Sequence, residues 1–481
     1  MSIKEFDITI GLEVHVQLKT RTKMFCSCGT SFGLEPNTQV CPICLGLPGT
    51  LPRVNEKAIE YGIKTALALH CSIPNKMRFD RKNYFYPDLP KGYQITQWQY
   101  PIAQNGSICI DTEQGKKQIT IIRAHLEEDA GKLIHENGKS LVDLNRVGVP
   151  LLEIVSAPDM HTPQEAYDYL KELKCILEYL QVSDCNMQEG SLRCDANISV
   201  APHGSKTLGN KTEIKNLNSF HFVKKALSYE AERQIALLQR GERVKQATFT
   251  WLENENRTEE MRSKEYANDY RYFPEPDIPW IYISENTIQQ IKENLPELPH
   301  ERKQRWINQY GLNESEIDVL ITRLDEANYA EECMKLWNNG QEIIHWILGP
   351  MQNAYKDFDC NINNFPVPPQ QLVELLQLID KKTINRNTAI DIFKEMILNK
   401  KPASSFLNGK ESITNQDELK EICQNIIKDT PNFWQDYLKN PKSIHAILGK
   451  VMKHTNGRAD AKIVHAILDD IIQQYNAQTT I

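Results

Sequence analysis

Four cysteines near the start of the chain constrain its fold more than any other feature. Cys26 and Cys28 form a C-x-C pair, and twelve residues later Cys41 and Cys44 form a C-x-x-C pair read as Cys41-Pro42-Ile43-Cys44-Leu45-Gly46. Tetrahedral zinc needs thiolates that converge from two short turns, and a Cys-Pro-x-Cys turn closed by glycine supplies two of them. In an extended segment a one-residue gap also leaves both sulfurs on one side. Two disulfides, or four unrelated thiols, would use the same residues. The other eight of the twelve cysteines are scattered singly, as in an intracellular chain, which favours zinc. With all four positions filled by protein, the metal would staple a loop and leave no place for a substrate.

A chain of 481 residues has room for two to four domains, and its 40% apolar share is ordinary. No apolar run approaches the roughly 20 residues of a membrane helix, so no membrane partner is expected. The start, Met1-Ser2-Ile3-Lys4-Glu5-Phe6, carries no signal-peptide core or Arg-rich transit helix, which predicts a cytoplasmic location. A net charge of −7 argues against a broadly cationic nucleic-acid coat but leaves room for a local basic face.

Period-two alternation predicts strands in the first part of the chain. Ile8, Ile10, Leu12, Val14 and Val16 share one face, with Glu13, His15 and Gln17 on the other. Ile122, Ala124 and Leu126 oppose Arg123, His125 and Glu127; Leu192, Cys194, Ala196, Ile198 and Val200 oppose Arg193, Asp195, Asn197 and Ser199. A shorter segment, 141–145, sets Val142 and Leu144 against Asp143 and Asn145, and Gly138-Lys139-Ser140 reads as a hairpin turn because Leu133 stands where a P-loop needs glycine. Helices are expected over about 54–70, after the capping box Thr162-Pro163-Gln164-Glu165, and after Asn218-Ser219. From Leu295 helical periodicity takes over, interrupted by Phe365-Pro366-Val367-Pro368-Pro369, and a polar stretch near Asn408-Gly409 precedes a last module.

Any one polar strand face is most simply a solvated face, but together these are rich in metal- and phosphate-handling residue types. Glu13, His15, His125, Glu127, Asp143, Asp195 and Asn197 could hold a cation such as Mg²⁺, with phosphate oxygens completing its shell. Arg123, Arg193 and Lys132 could then neutralise a transferring phosphoryl group. Neither G-x-G-x-x-G after a strand nor a G-x-S-x-G elbow is present. The segment 79–88, with Arg81, Lys82, Tyr84, Phe85 and Tyr86, mixes cations and aromatics that would either stack bases or pack as a loop. Met261-Arg262-Ser263-Lys264 and 269–273 repeat that mixture. In the last module Lys442, Lys450, Lys453, Arg458 and Lys462 form a modest basic group, suited to a nucleic-acid backbone or to a solvated helix face.

Six motifs in order carry a family resemblance: Gly11-Leu12-Glu13-Val14-His15-Val16, the cysteine quartet, 79–88, the run from His125 to Lys132, the run from Glu189 to Asn197, and the run from Thr212 to Ser219. Over essentially its whole length the chain resembles the B subunits of the bacterial aspartyl/glutamyl-tRNA amidotransferases. The resemblance implies an α+β protein with an N-terminal antiparallel-sheet cradle and zinc-stapled loop over 1–294, an all-α helical domain over 295–406 and a small helical tail over 407–481 that contacts tRNA. It implies a heterotrimer with a glutaminase-type A subunit and a small C subunit, using ATP, Mg²⁺ and Zn²⁺ to amidate misacylated Glu-tRNA(Gln) or Asp-tRNA(Asn). On the same ground Glu13, His15 and Glu127 or Glu128 are assigned to magnesium, with Asp195 a further candidate. Arg193 and Lys82 are assigned to phosphate, Tyr84 and Tyr86 to the acceptor end or the ammonia path, and Lys450, Lys453 and Arg458 to tRNA. The chain departs from the family pattern at Asn268, where histidine is expected, and the tail lacks some expected lysines. The competing expectation is a zinc-containing RNA-binding scaffold without chemistry of its own.

Overall fold

The computed structural model describes residues 5–261, 269–413, 415–455 and 457–479, with side chains to residue 475. Residues 262–264 of the second aromatic–cation segment, and Asn268, lie outside the described residues. The chain divides into two compact units, Met1–Pro299 and His300–Ile481. The architecture is α+β, with strands in the first unit and helices prevailing in the second.

The first unit is built on an eleven-stranded sheet among the described residues. Its centre is four antiparallel neighbours in the order Leu192–Pro202, Phe6–Gln17, Pro150–Ser156 and Gly115–Glu128. Their alternation gives two unlike faces. Ile10, Leu12, Val14 and Val16, with Leu152, Ile154, Ala124, Leu126, Cys194, Ala196 and Ile198, are buried together. Helices Glu56–Ala68, Pro163–Tyr179 and Phe220–Gln239 pack against strands of this sheet. Burying each large aliphatic side chain contributes about 2 kcal/mol, so the apolar face and its helices hold the other face open. One pairing departs from the antiparallel rule: Thr212–Lys215 runs parallel to Thr248–Leu252. The helix Phe220–Gln239 supplies the crossover that a parallel pair requires.

Local signals explain the helix starts. Asn55, Thr162 and Ser219 are extended N-caps whose side chains accept from backbone N–H groups in the first turn. The Thr162 motif is a modified capping box, because Glu165 accepts from the backbone N–H of His161 at 2.6 Å, one residue before the cap.

Two strand expectations need correction. Strict alternation puts Ile122 on the apolar face, yet it is 45% exposed while Ile121 is fully buried. A β-bulge between Ile121 and Arg123 shifts the alternation by one residue. The 141–145 segment does not join the large sheet. Among the described residues Lys139–Asp143 pairs only with Lys132–Glu136, through a turn in which Asn137 and Gly138 both have positive φ. Lys132 and Asp143 therefore lie outside the polar face of the large sheet.

The second unit is helical, apart from an isolated bridge between Ile413 and Ala459. Trp306, Trp346 and Phe393 are its largest fully buried side chains. Pro350 sits in a π-helical segment, Ile347–Met351, which accommodates a residue that cannot donate a backbone hydrogen bond. Residues from Leu419 to Ile472 form a separate apolar cluster inside this unit. No helix among the described residues is long and apolar enough to cross a membrane.

Candidate functional site

Strand register brings the polar residues into rows. Arg193, His15, Glu153 and His125 are successive partners across the four central strands. In the adjacent row Asp195, Glu13, Val155 and Arg123 stand side by side. Antiparallel partners share a face about 5 Å apart, so four strands distant in sequence build one surface.

His15 Nδ1 lies 3.2 Å from Glu127 Oε1 and 3.8 Å from Glu153 Oε2. His125 Nε2 is 3.1 Å from Glu153 Oε2 and 3.8 Å from Glu127 Oε2. His15, Glu127 and Glu153 each place a ligand atom within 4.8 Å of the others. Burial alone would push the His15 imidazolium down, but the Glu127 hydrogen bond and the charges of Glu127 and Glu153 outweigh it and raise it to about 9. Burial would likewise raise Glu153, and the two histidines instead hold it well below the usual carboxylate range. One imidazole and two carboxylates suit a hard divalent cation that keeps open positions for phosphate or water. Such an ion would displace the His15 proton, since a ligating imidazole must be neutral.

Glu13 shares the face of His15 but does not belong to this trio. Its Oε1 accepts from Asn197 Nδ2 at 3.1 Å. Burial, together with the charges of Glu153, Glu213 and Asp195, raises its carboxyl above the usual range. Glu13 and Asn197 border a hollow of about 430 Å³ whose other polar edges include Ser199, Asn210, Lys211 and Gln246. Asp195 is paired with Lys215, whose ammonium lies 2.7 Å from it and 3.0 Å from Glu213. Arg193 is held at 2.7 Å by Asp129, which also accepts from Gln17. Lys82 sits over the Tyr270 ring at 4.7 Å, and its charge acts on Glu153.

Glu127 and Glu128 point to opposite sides of their strand. Glu128 pairs with Lys91 and accepts from the backbone N–H of Ile95 at 2.9 Å. It borders a pocket of about 210 Å³ shared with Lys91, Asp277, Cys26 and Cys44. Of the two glutamates, the structure places Glu127 beside His15. Tyr84 lies near both, its phenol raised by burial and by the charges of Asp88, Glu127 and Glu128, while Tyr86 is exposed. Lys450 and Lys453 are exposed on Ile444–His454, and Arg458 is half-buried and donates to the carbonyl of Thr455.

Sequence reading missed Glu153. Its strand, Pro150–Ser156, reads as an apolar run, and the available signal was a lone carboxylate in a segment that otherwise buries everything. It also missed Lys215, Asp129 and Lys91, the partners that fix Asp195, Arg193 and Glu128.

The four cysteine sulfurs converge within 4.8 Å, and none of the twelve cysteines is in a disulfide. Gly46 takes the left-handed conformation that closes the Cys41–Cys44 turn. The loop is pinned from outside: Asn37 N–H donates to Asp143, Leu144 N–H donates to Asn37, and Gln39 N–H donates to Asn145. The Cys26 thiol hydrogen bond pulls Cys44 down to about 4 against burial, aided by the Cys41 N–H and by Lys23. Burial pushes Cys28 up to about 11. Lys23 is 0% exposed, donates to the Gln39 carbonyl at 2.6 Å and lies 3.7 Å from Cys44 Sγ. Four sulfurs with a buried cation beside them fit a tetrathiolate zinc, whose two net negative charges need compensation away from water.

Residues 8–289 match the family model described as the GatB/GatE catalytic domain, and residues 328–472 match the GatB domain model. A protein of Thermoanaerobacter pseudethanolicus, named as the B subunit of an aspartyl/glutamyl-tRNA(Asn/Gln) amidotransferase, is 48% identical over 470 residues, covering 97% of this chain and 99% of the relative. A Carboxydothermus hydrogenoformans protein of the same name is 46% identical over 476 residues, 97% of this chain and 99% of its own. One from Clostridium kluyveri is 45% identical over 475 residues, 98% of this chain and 100% of its own.

Proposed function

The chain belongs to the family of B subunits of aspartyl/glutamyl-tRNA(Asn/Gln) amidotransferases, and on that premise we propose that its polar sheet face activates the side-chain carboxylate of misacylated Glu-tRNA(Gln) or Asp-tRNA(Asn) with ATP. A carboxylate oxygen bonds to the γ-phosphorus as the bridging bond breaks and ADP leaves. Ammonia, released from glutamine by an A subunit, bonds to the acyl carbon; phosphate departs and a proton is lost. The product is Gln-tRNA(Gln) or Asn-tRNA(Asn).

The observation that carries this reading is the row Arg193–His15–Glu153–His125 with Glu127 converging on it. Phosphoryl transfer is catalysed mainly by positioning and charge neutralisation. A magnesium ion at His15, Glu127 and Glu153 supplies neutralisation of polyphosphate charge when bound. Glu13 and Asn197 face the hollow where we place the nucleotide, with Lys211 at its edge. Arg193 and Lys215, each held by carboxylates, are fixed cations that need no reorganisation as charge develops. Lys82 is our phosphate contact, and Tyr84 and Tyr86 border the acceptor end or the ammonia path. Lys450, Lys453 and Arg458 grip the tRNA backbone in the tail module, 407–481. A zinc-bearing scaffold would need the cysteine loop and the basic tail, but it has no use for buried acids and imidazoles in register.

The test is ATP cleavage by the reconstituted complex of this chain with its A and C partners. Cleavage should require Mg²⁺ and misacylated tRNA, and Glu13→Gln should abolish it while partner glutaminase activity stays detectable. Full-rate cleavage without tRNA, or by this chain alone, would leave a free-standing hydrolase instead.

A further inference from the structure

Beside the carboxylate cluster lies an aromatic–cation surface of which the proposed chemistry uses Lys82 alone. Trp98 and Tyr272 stack with centroids 4.5 Å apart and planes at 10°. The Arg123 guanidinium sits 5.2 Å from the Trp98 centroid. Tyr270 meets Tyr272 edge-on at 6.0 Å, and Lys82 caps Tyr270. Further along, Tyr100 and Trp280 form an edge contact at 4.8 Å, with Arg78 over both rings and Lys76 over Trp280.

Three features separate this surface from a packed loop. Trp98 is 43% and Tyr100 37% exposed. Among the described residues Arg123 and Lys82 have no carboxylate in ion-pair contact, although the chain carries a net charge of −7. The buried Nε of Arg123 has no hydrogen-bond partner, a cost that a ligand would remove. Position adds direction: Thr96, two residues before Trp98, pairs with Glu127, and Arg123 stands two residues from His125 on its strand, so the stack begins at the cluster.

We propose that the Trp98–Tyr272 stack, flanked by Arg123 and Lys82, seats the unpaired 3′ end of the tRNA, with Tyr100, Trp280 and Arg78 continuing its path. The proposal rests on the function reading, because an amino acid esterified through its α-carboxyl to the terminal nucleoside, with its free side-chain carboxylate docked at the cluster, leaves that nucleoside one aminoacyl length away. Exposed rings stack any base, and the cations meet the phosphates between them.

Binding of deacylated tRNA to the assembled complex, at one fixed salt concentration, tests this without any catalysis. Removing the unpaired 3′ nucleotides should weaken wild-type binding about tenfold, the scale of base–aromatic stacking. Trp98→Ala should weaken intact tRNA by a similar factor and be nearly indifferent to the truncation. Trp98→Phe should restore most of the loss, and Arg123→Gln, which spares the rings, should show part of it. Wild-type affinity of Trp98→Ala for both tRNAs, or an equal truncation penalty in variant and wild type, overturns the platform and leaves the function reading standing. A wild-type complex that binds no tRNA overturns both.

Discussion

Cys26, Cys28, Cys41 and Cys44 come from one loop, whereas His15, Glu127 and Glu153 come from three strands, the first two of them 112 residues apart. The loop's sulfurs face one another with a buried lysine beside Cys44, and a metal there has no further position to offer. The strand cluster is different. Its imidazoles and carboxylates neutralise one another in place, on the face of the sheet opposite the helix-packed core. A closed set of ligands serves structure, and an open set held rigid by a sheet serves chemistry.

The comparison breaks most visibly under single substitutions. Glu127→Gln or Glu153→Gln should lower tRNA-dependent ATP cleavage by about a hundredfold or more, with zinc content by elemental analysis unchanged. Loss of zinc from either variant would show that the two clusters are not independent. Cys44→Ser should do the reverse, releasing zinc and costing on the order of 4 kcal/mol of stability in denaturant titrations. A variant that retains one zinc per chain and its unfolding midpoint would end the staple argument. Lys23→Met tests the buried cation. It should weaken zinc about tenfold in chelator competition, as removal of an outer partner does, and it should broaden the thiolate bands of the cobalt-substituted protein.

The smallest expected effect is on pH dependence. The folded His15 imidazolium is raised to about 9 from an ordinary 6.5, so its stabilisation is complete below 6.5 and is lost as pH rises through 9. Melting temperatures of the metal-free protein should therefore fall between those limits more steeply than those of His15→Asn. Added Mg²⁺ should bind more tightly over the same interval, because the proton it displaces is already leaving. Parallel slopes for wild type and variant would remove His15 from the cluster's charge balance.

Legibility followed chain distance. The helix starts at Asn55, Thr162 and Ser219 and the hairpin at Asn137-Gly138 are governed by neighbours within a few residues, and they form where the signals lie. Face assignments along single strands were legible up to the bulge at Ile121/Arg123, which one sequence cannot announce because it depends on the partner strand. Glu153 escaped because it reads as a flaw in an apolar strand until His15 and His125 are seen on either side of it. Asp143 was misread for the opposite reason. Its short alternating segment looks like a sheet strand, but it pairs in a separate hairpin and its carboxylate anchors the cysteine loop.

By itself the sequence determined the thiolate loop, the two-faced strands, the helices between them and the change to an all-helical second unit, since each depends on spacing within one element. Tertiary structure alone decided which strands are neighbours, and so which acid stands beside which imidazole. Register is a property of pairs of strands, and a one-residue slip exchanges a strand's faces. Only the assembled sheet brings His15, Glu127 and Glu153 together and turns Glu128 away.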